Sequence, residues 1–147
     1  MFLGQYEHSI DEKGRLTIPS RYREEFADNS LVLTTGFEES LIVLTPELFL
    51  IFANQVRSKP ITNPTSRQFR RVFFANAQEI EIDKTGRILL PAFLRNSAKL
   101  NDSAVLVGNG EYFELWSPEK WRAQLEILND SEADEQRFSA LDLTTLP

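Results

Sequence analysis

The 147-residue chain has no cysteine, which removes disulfides, thiolate-bound zinc, iron–sulfur clusters and thiol nucleophiles from consideration. Histidine occurs once, at His8, so a His-rich metal site is excluded and little is left for a His-based triad. Long apolar runs are missing too. The longest, Leu48 to Ala53, covers six residues, whereas a membrane helix needs roughly 20. The opening Met1-Phe2-Leu3-Gly4-Gln5 has no basic flank and no apolar core of signal-peptide character, so a cytoplasmic protein is expected. No Gly-rich phosphate loop, metal-ligand cluster or nucleophile motif occurs; an enzyme is not expected, and no cofactor is called for. What is present is ordinary globular composition, 41% hydrophobic and 26% charged. That length suits one compact domain or two small units sharing a core.

Charge is unevenly placed. The net charge is −6, yet residues 1–100 carry 13 Lys+Arg against 12 Asp+Glu (+1), and residues 101–147 carry 3 against 10 (−7). The acidity sits in the last third, so it weighs only mildly against a nucleic-acid partner for the rest.

Self-similarity is the strongest signal in the chain. A shift of 72 residues aligns 7–47 with 79–119 without a gap, with twelve identities that include Asp11/Asp83, Gly14/Gly86, Arg15/Arg87, Pro19/Pro91, Arg23/Arg95, Asn29/Asn101, Gly36/Gly108 and Pro46/Pro118. Glycine falls on glycine and proline on proline, where backbone geometry is most restricted. Each copy predicts the same series. Alternating Tyr6/His8/Ile10 and Ile80/Ile82 give half-buried strands, then Asp11–Gly14 and Asp83–Gly86 give tight turns. The chain returns through Arg15–Ile18 and Arg87–Leu90 to a short helix after Pro19 or Pro91. A second strand pair follows, Leu31–Thr35 with Leu41–Leu44 and Ala104–Val107 with Tyr112–Trp116. Thr45-Pro46-Glu47 and Ser117-Pro118-Glu119 then start longer helices, with a hydroxyl cap, Pro at the first position and an acid in the first turn.

The first of these helices is apolar nearly all round, which predicts burial on more than one side; the second carries Trp121, Leu125 and Leu128 on one face. Between the copies lies a polar, Pro-rich linker and then a helix over Ser66–Ala77. That helix has one stripe of Phe69, Val72, Phe73 and Ala77, and another of Arg67, Arg70, Arg71 and Phe74. The arginine stripe reads as a subunit interface before it reads as a DNA surface. The expected organisation is a first unit at 1–57, a linker at 58–66, a second unit with its leading helix at 67–129, and an acidic tail at 130–147. The tail, with Phe138, Leu141 and Leu143, is expected to be loosely ordered or docked on a neighbour. Units of ~70 residues bury little surface alone, so the two copies are expected to pack as an intramolecular pseudo-dimer of α+β class with one shared core.

Asp-x-x-Gly-Arg-(x)3-Pro, present twice and each time followed by a helix and a strand pair, resembles the MraZ family of bacterial transcriptional regulators. The opening Gly4-Gln5-Tyr6-Glu7-His8-Ser9-Ile10-Asp11-Glu12-Lys13-Gly14-Arg15 is the most distinctive part. Arg67-x-Phe-Arg-Arg-x-Phe-Phe-Ala and Phe113-Glu114-Leu115-Trp116 extend the resemblance over nearly the whole chain. It implies two AbrB-like units forming a double-psi or swapped-hairpin type of barrel. It further implies a sequence-specific regulator that binds repeated elements in double-stranded DNA upstream of its own operon, the division and cell-wall gene cluster. A ring-shaped homo-oligomer associated with the nucleoid is implied as well.

The residue chemistry is compatible with this. Arg15 and Arg87 each leave a tight turn just after a glycine, and a guanidinium fixed in that way is suited to guanine O6/N7 or to a phosphate. Lys13 and Lys84 in the same turns would serve as phosphate contacts. Asp11 and Asp83, four residues before the arginines, would position them, with Gly14 and Gly86 supplying the turn; the same carboxylates would equally serve as plain ion-pair partners that fix the loop. Arg21, Arg23 and Arg95 read as solvated helix surface, and His8 as a packed strand side chain. An alternative function is an AbrB-like protein-binding or antitoxin-type module, in which the acidic tail would wrap a partner.

Overall fold

The structure is a computed structural model that describes residues 1–130, 136–141 and 143; most of the expected 130–147 tail therefore lies outside the described residues or at their margin. The first repeat runs β1 (Gln5–Ser9), β2 (Arg15–Thr17), α1 (Ser20–Arg23), β3 (Ser30–Thr35), β4 (Leu41–Leu44) and α2 (Pro46–Arg57). After α3 (Pro64–Ala75), the second repeat runs β5 (Gln78–Glu81), β6 (Arg87–Leu89), α4 (Ala92–Ser97), β7 (Ser103–Gly108), β8 (Phe113–Trp116) and α5 (Pro118–Leu128). The helix starts follow the chemistry expected of them: Thr45 and Ser117 each accept a hydrogen bond from the N–H three residues on, 3.1 Å in both cases.

Strand pairing ties the repeats together. Six strands form one antiparallel sheet in the order β1-β7-β8-β4-β3-β5, and β2 pairs with β6 in a separate ladder. Each repeat thus lends its first strand to the other: β1 pairs with β7, and β5 with β3. This corrects the local return expected after each Asp–Gly turn, because β1 meets β2 only at the isolated Ile10–Leu16 bridge. The chain separates there, and β2 finds its partner in the other repeat. The sheet stops at β1 and β5, so the pairing among the described residues falls short of the closed barrel that the resemblance implies.

One core serves both repeats. Phe113 of β8 packs among Phe2, Tyr22 and Phe26 of the first repeat, with ring centroids 5.1, 4.8 and 6.3 Å away. Leu16, Ile18, Leu33, Ile88, Leu94 and Leu106 close the same cluster. A second cluster under α5 joins Trp121 to Trp116, Val105 and Val107, with Leu125 and Leu128 against it as expected.

Two expectations need correction. The gapless 72-residue match slips by one across β3 and β7, which superpose at 73 residues: Ser30/Ser103, Val32/Val105 and Leu33/Leu106 correspond, and Asn29/Asn101 and Gly36/Gly108 do not. The second repeat is one residue longer before its strand, and its following turn is one shorter, so a count over the whole copy hides both changes. In addition, α2 is not buried on several sides. Phe49 stacks on Phe73 of α3 at 5.2 Å, but Leu50 and Ile51 stay exposed. The apolar belt of α2 is wider than the strip its neighbours cover.

Because Phe113 packs against three rings from the other repeat, Phe113→Ala is expected to cost about 3–5 kcal/mol. Urea unfolding should show one transition, with tryptophan fluorescence and far-UV circular dichroism coincident; two separate transitions would mean that each repeat has its own core.

Candidate nucleic-acid interface

The β2–β6 ladder sets the site. Arg15 stands opposite Leu89, and Thr17 opposite Arg87. Strand alternation points Leu16 and Ile88 into the core, where both are fully buried, and leaves Arg15, Thr17, Arg87 and Leu89 on the other face. The two arginines therefore share one outward face, on a diagonal. Past the ladder, the Ile18 N–H donates to the Gly86 carbonyl at 2.8 Å and the Leu90 N–H to the Gly14 carbonyl at 2.9 Å. Each arginine turn is gripped by the strand of the opposite repeat.

Within each turn the aspartate does the local work. Asp11 Oδ1 accepts the Lys13 and Arg15 N–H groups, each at 2.9 Å. Asp83 Oδ1 accepts the N–H groups of Thr85 and Arg87, both at 2.9 Å, and the Thr85 hydroxyl at 2.8 Å. Gly14 and Gly86 close the loops at φ +88° and +83°, a region costly for a side chain. The second carboxylate oxygens reach the guanidinium groups. Arg15 Nε donates to Asp11 Oδ2 at 2.9 Å, Arg87 Nε lies 3.4 Å from Asp83 Oδ2, and Arg87 Nη1 lies 3.8 Å from Asp11 Oδ2. Asp11 thus faces both arginines and links the repeats electrostatically.

These contacts position the arginines without consuming them. The Arg15 and Arg87 side chains remain 32% and 33% exposed, and among the described residues no acceptor meets Nη1 or Nη2 of Arg15. That terminal pair is the part that matches guanine or phosphate oxygens bidentately. The ion-pair reading and the positioning reading of Asp11 and Asp83 are thereby compatible in one geometry. Lys13 and Lys84 are exposed in the same turns, with no ion pair among the described residues.

Two arginines expected on solvated helix surface belong here as well. A methyl group added at Gly86 would come within 2.5–3.0 Å of the Arg23 guanidinium, and one at Gly14 within 3.0–3.2 Å of that of Arg95. Each arginine lies across the turn of the opposite repeat, and Arg95 Nε also donates to the Leu90 carbonyl at 3.2 Å. The glycines therefore serve twice, for the left-handed φ and for the close approach of a guanidinium. The repeat itself carried the signal: Arg23 and Arg95 are matched identities, each four residues after the matched proline. By contrast, Arg67 and Arg70 are engaged with the linker. Arg67 donates to the Ile61 carbonyl at 2.8 Å, and Arg70 to those of Arg57 and Lys59 at 2.9 and 3.1 Å, so both hold the chain between α2 and α3. Among the described residues no group of carboxylates or histidine is placed to hold a metal ion, and no helix is long and apolar enough to cross a membrane.

Comparison with known proteins agrees with the duplication. The family described as "MraZ protein, putative antitoxin-like" matches twice, over residues 1–72 and 73–142. Among curated relatives, the transcriptional regulator MraZ of Herpetosiphon aurantiacus is 44% identical over 88% of this chain and 90% of its own length. That of Thermomicrobium roseum is 47% identical over 87% and 89%, and that of Clostridium tetani 39% identical over 95% and 94%.

The turn carboxylates should titrate unusually low. The Arg87 N–H, with the Thr85 hydroxyl, holds Asp83 down to about 2, and the Arg15 N–H lowers Asp11 in the same direction. A depressed pKa stabilises the fold fully above the ordinary aspartate value and loses that contribution as pH falls through the folded value. Carboxyl-detected NMR titration should therefore find Asp83 still ionised at pH 3 with its turn intact; titration at the ordinary value near 3.8 would show that the turn is not held this way.

Proposed function

The chain belongs to the MraZ family, and on that footing we propose that it is a transcription regulator acting by sequence-specific binding to double-stranded DNA. The observation that carries the reading is the pair of guanidinium groups on one exposed face of the cross-repeat ladder, each backed by a carboxylate. Arg15 and Arg87 read base edges or clamp phosphates with their terminal nitrogens, Lys13 and Lys84 contact the backbone, and Asp11, Asp83, Gly14 and Gly86 keep the arginines in place. A rigid turn matters because a guanidinium that is already oriented loses less conformational freedom on binding.

One chain offers few phosphate contacts, which is too few for tight binding at physiological salt. Several chains engaging spaced repeats raise the effective concentration instead. The reading therefore includes a ring-shaped homo-oligomer, acting in the cytoplasm at the nucleoid, whose target is a set of short repeats upstream of its own operon, the division and cell-wall cluster. Leu50 and Ile51 of α2 and Phe69 and Val72 of α3, all exposed, support a contact between copies.

In gel shifts with duplex from upstream of its own gene, Arg15→Ala and Arg87→Ala should each weaken binding by roughly 5- to 150-fold, the range of about 1–3 kcal/mol for a bidentate base contact. Lysine at either position should rescue only part of the loss, since it lacks the planar fork. Unchanged affinity in the double alanine variant, or co-purification of a stoichiometric protein partner without any duplex binding, would favour the antitoxin-type alternative.

A further inference from the structure

A cleft of about 560 Å³ opens between α4 and the start of α5, and four cations line it: Arg95, Lys99, Lys120 and Arg122, against the acids Asp102 and Glu119. The duplication supplies an internal control. Seventy-two residues earlier, at the positions of Lys99, Lys120 and Arg122, stand Ala27, Leu48 and Leu50. The fold is built in both repeats, so it does not require those three charges; only the second repeat carries them. The cleft is also continuous with the candidate site, because Arg95 lines it and lies against the Gly14 turn. One protein anion already lies across the cations. Glu39, from the turn between β3 and β4 of the first repeat, is 2.9 Å from Lys120 Nζ and 3.5 Å from Lys99 Nζ, and the hydrogen bond from Lys120 keeps its carboxyl below its usual range. The lysine side chains remain 62% and 41% exposed, so a more highly charged group can reach them.

We propose that this cleft is a phosphate-binding site for the DNA backbone, present on the second repeat alone. It rests on the DNA reading above and deepens it. A pseudo-two-fold pair of arginine turns would by itself bind an element in either orientation. A phosphate cleft on one flank gives the platform a direction. Glu39 is the internal counterion that the phosphate displaces.

The test compares the intact protein with the triple variant Lys99→Ala, Lys120→Gln, Arg122→Gln, checked for an unchanged thermal melt, on duplex from upstream of its own gene and on unrelated duplex across a salt series. The triple variant should lose roughly tenfold or more in affinity on both duplexes, and its log–log salt slope should fall by about 2 to 3, near 0.9 per lost phosphate contact. Glu39→Gln should bind roughly two- to fivefold tighter, the range of an exposed ion pair. Hydroxyl-radical protection should reach farther on one flank of the bound element, and the triple variant should lose that extension. A triple variant that binds like the intact protein, or a footprint that stays symmetric, would overturn the cleft while leaving the arginine turns as the DNA site. Failure of the intact protein to bind any duplex at low salt would overturn both.

Discussion

Two backbone hydrogen bonds, from Ile18 to Gly86 and from Leu90 to Gly14, fix each arginine turn to a strand of the other repeat. An exposed four-residue turn on its own would sample many conformations, and a long arginine side chain many more. Here the glycine carbonyl is clamped from across the pseudo-two-fold axis, the aspartate ties the turn internally, and a guanidinium from the opposite repeat lies on the glycine. Arg15 and Arg87 inherit that rigidity. Neither repeat could supply it alone, so duplication and site are one design.

The core follows the same logic. Units this small bury too little surface to be secure by themselves, and exchange of β1 and β5 between repeats brings the apolar faces of both into a single cluster. Symmetry then breaks where packing allows it. Trp121 seals α5 onto β7 and β8, whereas α2 carries Phe49 at that place and leans on α3. The cationic cleft beside α5 and the exposed apolar residues of α2 lie on these two unlike sides. A platform that is nearly two-fold in its arginines is thus unequal in its flanks.

Much of this was legible in the residues. The Gly14/Gly86 and Pro identities located the arginine turns and the helix starts, and alternation located β1 and β5, because those signals are local. The non-local parts were hidden. Nothing in Ile10–Leu16 says that the strands part after one bridge, since pairing with β6 and β7 depends on residues 70 or more positions away. Arg23 and Arg95 looked like helix surface because helical spacing describes only their own element; their contact is with a glycine in the other repeat. The shift to 73 residues across β3 and β7 was masked by two chance identities, Asn29/Asn101 and Gly36/Gly108. The linker contacts of Arg67 and Arg70 were hidden for a similar reason, as backbone carbonyls give no pattern in side-chain chemistry.

The most direct measurement is NMR observation of the arginine Nε–H signals while duplex is added. The carboxylate-held geometry predicts separate, slowly exchanging signals for Arg15 and Arg87 in the free protein, and a shift of both when DNA binds. Signals that are averaged in the free protein and unmoved by a duplex that does bind would mean that these two side chains are neither held in place nor used.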